Sequence, residues 1–372
     1  MFQQRHDILP EATHDEFARE EFCSSLRKLF TTELWPGNRD VYAKRKLPEF
    51  MAEHGREPET LPEARDLMEE SFYFRASNVL GRAAQELVWD TVGESIDRQL
   101  DVLNDKAKPR AGALGSVRVN PAMEMPRYID AVDIHLMPGN FHTDRSDDDV
   151  FAGAMYDRGV YVFAFGGLGK TNDGLGVMTT EFVQDRFPDL KPKRILDMGC
   201  GPGFTTLPWK NMYPDAEVFG IDLGAPQIRY AHARAEGLGT AVHFSQQDAC
   251  HTDFPDGHFD IVVSLLVTHE MPVPVIKAMY KEAYRLLAPG GVMLHDGVYS
   301  KKPNAFELMM LTWFGSNANE PFTAGFRAMD QHKAMTEAGF TPEQLFDGQR
   351  ETVYLKGQLP PVAFVGAVKA AA

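Results

Sequence analysis

Arg194-Ile-Leu-Asp-Met-Gly-Cys-Gly-Pro-Gly-Phe-Thr-Thr206 decides how the rest of this chain is read. A short apolar run, Ile195-Leu196, leads into Asp197, and glycines follow at alternate positions, Gly199, Gly201 and Gly203. A buried parallel strand ends this way when its turn brings backbone close to a ligand. Glycine tolerates the positive φ angles of such a turn and has no Cβ to block the approach. The next strand pattern, Ala216-Glu-Val-Phe-Gly-Ile-Asp222, also ends in an acid. It falls about 20 residues beyond the glycines, where nucleotide-binding folds place the carboxylate that takes ribose hydroxyls.

Asp197-x-Gly199-x-Gly201-x-Gly203 followed by Asp222 resembles the cofactor site of class I S-adenosylmethionine-dependent methyltransferases of the small-molecule type. Dinucleotide oxidoreductases carry G-x-G-x-x-G, whereas here the third glycine comes one residue early and Phe204 takes its place. Three further pieces arrive in the family's order: Gln247-Asp248-Ala249, then Phe259-Asp260-Ile-Val-Val-Ser264, then Leu286-Leu-Ala-Pro-Gly-Gly-Val-Met-Leu294. The resemblance covers residues 155–372 and stops short of the first third of the chain. It implies a Rossmann-like α/β fold, a seven-stranded sheet with helices on both faces. It also implies S-adenosyl-L-methionine as cofactor and S-adenosyl-L-homocysteine as product. The methionine part of the cofactor would lie over Gly199, Cys200, Gly201 and Gly203, with Asp197 near its amino group. Asp222 would take the ribose hydroxyls and Asp248 or Gln247 the adenine amine. Leu223, Ala249, Leu265 and Tyr161 complete the implied cofactor shell.

Composition bounds the rest. The chain has 372 residues, 44% hydrophobic and 24% charged, the balance of an ordinary globular protein with room for about two domains. A net charge of −15 argues against nucleic acid or an anionic membrane as partner. Cys23, Cys200 and Cys250 form neither a disulfide framework nor a zinc signature. The N-terminus has no apolar signal core, and no apolar run reaches the roughly 20 residues of a membrane span. A cytoplasmic enzyme is the expectation.

Residues 1–150 read as an N-terminal, mainly helical region serving as lid, substrate-binding element or homodimer surface, and 151–372 as the methyltransferase domain. Helical spacing covers 12–33, starting near Thr13 or His14. Residues 36–62 read as a loop, and 62–105 as one long helix or two broken near Gly81 or Gly93. Residues 109–126 read as a linker and Asp144–Asp149 as a solvated loop or helix start. Strands are expected at 193–198, 216–221, 241–245, 259–265 and 291–297. Helices are expected at 203–213, 225–236 and 273–287, with further helix over 304–337. Thr352–Leu355 with Val362–Val368 would make a closing hairpin.

His269-Glu270, after the fourth strand of that pattern, is the first candidate for catalysis, because imidazole is the natural base near neutral pH. His295-Asp296, ending the fifth, is the second; a buried structural histidine is the alternative for each. His135, His142 and Asp144 could join His269, Glu270 and His295 around a metal, but no spacing among them matches a metal motif and none is expected. Tyr156 and Tyr161 are lid candidates. Ala164-Phe-Gly-Gly-Leu-Gly-Lys170-Thr171 nearly spells a phosphate loop but begins with Ala, and reads instead as a glycine hinge. Met309, Met310, Trp313, Phe314 and Phe322 suit an apolar substrate pocket or plain core. The reading is methyl transfer to oxygen or nitrogen of a small molecule, with carbon also open. A non-catalytic cofactor-binding module and a nucleotide-dependent oxidoreductase are the alternatives.

Overall fold

The computed structural model describes residues 2–297, 303–351 and 361–371, and over these the βα alternation of the second half closes into one sheet. Its strands are β1 (Ser116–Arg118), β2 (Arg194–Met198), β3 (Glu217–Asp222), β4 (His243–Gln246), β5 (Phe259–Val263), β6 (Leu287–Asp296), β7 (Leu345–Arg350) and β8 (Val362–Val368). They lie in the order β1-β4-β3-β2-β5-β6-β8-β7. β2 is the middle strand, parallel to β3 on one side and β5 on the other. Ile195, Leu196, Asp197 and Met198 are all buried, which is why this strand reads as a short continuous apolar run. The chain runs outward from β2 in one direction through β3 and β4, then restarts at β5 in the other. The crevice at this reversal is where open α/β sheets bind ligands.

Six strands, β2 to β6 and β8, fall where they were expected. Another, β1, comes from the stretch read as a linker. It pairs parallel to β4, with Ser116 opposite His243, Val117 opposite Phe244 and Arg118 opposite Ser245. Three partly exposed residues give no periodic signal, so spacing alone could not reveal it. A Cβ at Gly115 would lie 2.0 Å from the Val242 carbonyl oxygen, so the approach to β4 requires glycine there. β1 lies before residue 150, so a boundary at that point cuts through the sheet. The closing hairpin pairs β8 antiparallel with β7. β7 precedes the predicted partner Thr352–Leu355, which lies outside the described residues.

The N-terminal region is helical well beyond the expectation. Thr13 caps the helix His14–Leu29 in a reciprocal pair with Glu16. Residues 36–54 are no loop: Trp35–Val41, Tyr42–Lys46 and Leu47–His54 follow as successive helical segments, and the loop is confined to 55–60. Pro36 and Pro48 sit in the first turns of two of them, where a missing N–H costs nothing. Phe72–Asp97 is unbroken over 26 residues. Gly81 does not interrupt it, since it is small in order to admit the ring of Phe30. Met309 and Met310 pack with Tyr42, Phe50 and Met68, and Trp313 packs with Phe30, which makes these three core residues. None of the described helices is long and apolar enough to cross a membrane.

The helix Phe151–Phe163 joins the two halves through Asp157, which is fully buried. Its carboxylate accepts from Gln3 Nε2 at 2.8 Å, Tyr230 OH at 3.0 Å and Asn172 Nδ2 at 3.1 Å. His6 Nε2 lies 3.1 Å away and Arg234 Nε 3.2 Å. Burial alone would raise the Asp157 pKa, but Arg234 and His6 hold it below the usual carboxylate value. Replacing Asp157 by Ala strands the buried Arg234 guanidinium. Removing one partner of a buried pair costs about 3–5 kcal/mol, so urea denaturation of Asp157→Ala should show a lower midpoint. An unchanged midpoint would show that Asp157 is not the joint between the halves.

Candidate active site

Gly199, Gly201 and Gly203 have φ of 77°, 47° and 83°, a left-handed run that side-chain-bearing residues rarely adopt. The turn is fastened to β3 by three of its own backbone donors, and Asp222 takes a fourth from the turn after β3. Gly199 N and Cys200 N both donate to the Ile221 carbonyl, at 2.8 and 2.9 Å. Gly201 N donates to Asp222 Oδ2 at 3.0 Å, and Gly224 N to Asp222 Oδ1 at 2.9 Å. A Cβ on Gly199 would strike Val267, whereas one on Gly201 would stand in open space at the cavity wall. Beneath the turn, Asp197 Oδ2 accepts from the hydroxyls of Thr205 and Thr206, both at 2.6 Å. Asp197 Oδ1 is buried with no hydrogen-bond partner among the described residues.

The cavity above this turn holds about 1120 Å³ of empty space, its open mouth included. Gly199, Cys200 and Gly201 form its floor, with Asp222, Leu223, Gln247, Asp248 and Ala249 along one wall. Gln247 spends its amide on Ser245 Oγ and on the N–H of Asp253, which leaves Asp248 as the wall's available carboxylate. Leu265, Leu266, Val267 and Glu270 close the far end. Tyr128, Ile129 and Phe141, which the sequence did not mark, line the cavity with His142, named there as a metal candidate, and with Phe204 and Thr205 of the glycine stretch. Tyr156 stacks on Phe204 with ring centroids 6.0 Å apart and meets Phe141 edge-on at 5.3 Å.

Several expected residues lie elsewhere. Tyr161 does not line the cavity; it packs beside Gly166 and Arg158, because five residues of helix turn it away from the face of Tyr156. Gly203 lies against Leu207 and Phe244, behind the wall. Phe322 meets the cavity only through an edge contact with Tyr128, at 6.1 Å. Asp144 pairs with Arg229. The glycine hinge stands after a helix rather than a strand, so it is no phosphate loop, though Leu168 and Asn172 beside it do line the cavity.

His295 is a core residue rather than a base. It is fully buried, shares a hydrogen bond with Ser264 Oγ at 2.5 Å and stacks on Tyr280 at 4.8 Å. Burial pushes its pKa down to about 3, which keeps it neutral. Of the pair His269-Glu270, only Glu270 lines the cavity, and it brings in a residue from another loop. His135 Nε2 lies 2.8 Å from Glu270 Oε1, and its Nδ1 lies 2.8 Å from Glu320 Oε1. Burial would strip His135 of its proton, but the carboxylates of Glu320 and Glu270 push its pKa up to about 10.

A floor of glycine backbone, an acid at the end of β3, a carboxylate one strand further and an orphaned oxygen at Asp197 fit an adenosyl ligand with a cationic amino-acid tail. A family model described as a methyltransferase domain matches residues 195–291. Among relatives, demethylmenaquinone methyltransferase of Thermus thermophilus is 37% identical over 123 residues, covering 33% of this chain and 55% of that one. Phosphoethanolamine N-methyltransferase 3 of Arabidopsis thaliana is 35% identical over 130 residues, covering 34% of this chain and 25% of that one. Sterol 24-C-methyltransferase of Aspergillus fumigatus is 36% identical over 110 residues, covering 28% and 27%. The chain thus spans about half, or less, of the length of the relatives it matches. Among solved structures, phosphoethanolamine N-methyltransferase 2 of Haemonchus contortus overlaps at a TM-score of 0.40 and 18% identity, covering 52% of each chain.

Burial pushes the Asp222 pKa up to about 6, against the lowering effect of the Gly224 and Gly201 N–H groups, and Glu270 adds to the rise. Only the ionised carboxylate can accept from both ribose hydroxyls while holding both backbone donors. Affinity for S-adenosylhomocysteine should therefore be flat above neutrality and fall as pH drops through 6, by up to about tenfold per unit. Asp197, also raised to about 6 by burial, contributes to the same acid limb. A hydrogen bond to a charged group is worth about 1.5–3 kcal/mol, so Asp222→Asn should weaken binding roughly 10- to 100-fold and make that limb shallower, leaving the part due to Asp197. Calorimetry at pH 5.5 and 7.5 checks both.

Proposed function

We propose that this chain, whose residues 195–291 belong to the class I S-adenosylmethionine-dependent methyltransferases, transfers a methyl group from S-adenosyl-L-methionine to a small-molecule acceptor. The observation that carries this reading is one cavity joining the adenosyl-type wall, Asp222 and Asp248, to an acidic far end at Glu270. Bound S-adenosylmethionine supplies a methyl on a sulfonium with a good leaving group. The protein's task is then to align an acceptor and keep water out. Phe141, Tyr156 and Phe204 supply the apolar cover. Glu270 is the ionisable side chain at the far end, and a proton released by the acceptor goes to its carboxylate.

The size of the cavity and the net charge of −15 support a small acceptor over a nucleic acid. A quinone precursor, phosphoethanolamine and a sterol, named for the three relatives, mark the range of chemistry such domains serve. The N-terminal helices, in this reading, also bring two copies together. Phe72, Val79, Leu80 and Leu87 are exposed at seven- and eight-residue spacing along one helix, and Phe22 and Leu29 are exposed on its neighbour. A two-fold axis pairs such a stripe with itself.

Incubating the protein with labelled S-adenosylmethionine and fractionated small-molecule extract should give labelled product. Glu270→Gln should lower the rate at least tenfold while leaving S-adenosylhomocysteine affinity within a few-fold, since general bases contribute about 100-fold or more. Failure of the wild type to label any fraction, with NAD binding in its place, would overturn the reading. Sedimentation should show a dimer that Leu80→Lys converts to monomer; a wild-type monomer at micromolar concentration would remove the second part.

A further inference from the structure

His135, Glu270, His269 and Glu320 come from three loops far apart in sequence and meet in one cluster. His135 reaches one carboxylate with each ring nitrogen, both at 2.8 Å. His269 Nε2 lies 3.9 Å from an oxygen of Glu270 and 3.9 Å from an oxygen of Glu320. One donor atom each from His135, His269 and Glu320 fall within 4.8 Å of one another. Glu320 is buried, and no lysine or arginine pairs with it or with Glu270 among the described residues. The two carboxylates are thus answered by imidazoles and, at Glu320, by the Thr323 hydroxyl at 3.1 Å, with imidazole the only cationic partner among the described residues.

The backbone is shaped to make this meeting happen. His135 and Leu136 both hold left-handed φ angles, 58° and 61°, as does Leu266 at 60° three residues before His269. Such angles are costly for residues with a Cβ and persist only where surrounding structure enforces them. At His135 the enforcement is visible. Gln85 Nε2 and Trp89 Nε1, from the long N-terminal helix, both donate to its carbonyl, at 2.7 and 2.8 Å.

We infer that His135, His269 and Glu320, with Glu270 beside them, bind one divalent transition-metal ion. Two imidazoles and carboxylate oxygen suit zinc, iron(II), cobalt(II) or manganese(II), whereas calcium and magnesium prefer all-oxygen shells. Two carboxylates neutralise the dication, and one ring nitrogen of His135 gives its proton to solvent as it becomes a ligand, while the other keeps its N–H on a carboxylate. Glu270 lines the cavity whereas His135, His269 and Glu320 do not, so the ion stands behind Glu270, outside the cavity wall. The metal site does not depend on methyl transfer.

The test uses the full chain, stripped with a chelator and dialysed. Titration with Co²⁺, followed by visible absorption, and with Zn²⁺, followed by calorimetry, should each end at one ion per chain. His135→Ala, His269→Ala and Glu320→Gln should each weaken binding at least tenfold. Unchanged S-adenosylhomocysteine affinity in these variants shows that they are folded. Should a variant fail to fold, wild-type protein still decides. Substoichiometric Mn²⁺ should broaden the imidazole proton resonances of His135 and His269 before those of exposed His14. Wild type that takes up no ion, or variants that bind as tightly as wild type, or broadening that spares both histidines, would each overturn the inference. Metal uptake without S-adenosylhomocysteine binding would leave it standing while removing the methyltransferase reading.

Discussion

Asp222 holds two turns at once. Its carboxylate accepts the N–H of Gly201 from the turn after β2 and the N–H of Gly224 from the turn after β3. The Gly201 N–H comes from a turn that holds Gly199 and Gly201 at positive φ, and the Gly224 N–H from the extended residue before the next helix. The interaction is bought against burial, which raises the acid toward neutrality. A strand end, a glycine run and an acid some twenty residues on are therefore one mechanical unit, and the cavity exists because that unit holds its floor open.

The rest of the cavity depends on the N-terminal region lying over that floor. Asp157 secures it by drawing Gln3 and His6 from the first residues, Tyr230 and Arg234 from the helix after β3, and Asn172 from the glycine hinge onto one buried carboxylate. Phe151–Phe163 is thereby locked between halves, and Tyr156 is delivered to the roof. On the opposite side the long helix uses Gln85 and Trp89 to grip the backbone at His135. The first third of the chain thus shapes the end of the cavity where an acceptor would lie.

What was legible in the sequence is what short-range patterning encodes. β2 through β6 announce themselves because buried parallel strands are short apolar runs bounded by turns, and the glycine–acid spacing is local. The acceptor end had no such signature. Glu320 lies in Asn317-Ala-Asn-Glu-Pro321, which has no periodicity, and 135 residues separate His135 from Glu270. A cluster assembled from three loops has no spacing to recognise. His295 was misleading for a different reason. β6 is buried on both faces from Gly291 to Asp296, so a histidine near its end is enclosed in the core. Residues 36–54 were misread because prolines count against helix everywhere except in its first turn, where Pro36 and Pro48 both stand.

The most direct test of this account is a crystal structure of the protein with S-adenosylhomocysteine. The account predicts ribose hydroxyls on Asp222, the adenine amine at Asp248, the amino-acid tail over Gly199–Gly201 and the sulfur turned toward Glu270. An adduct bound outside this cavity, or within it with the ribose away from Asp222, would contradict the central claim.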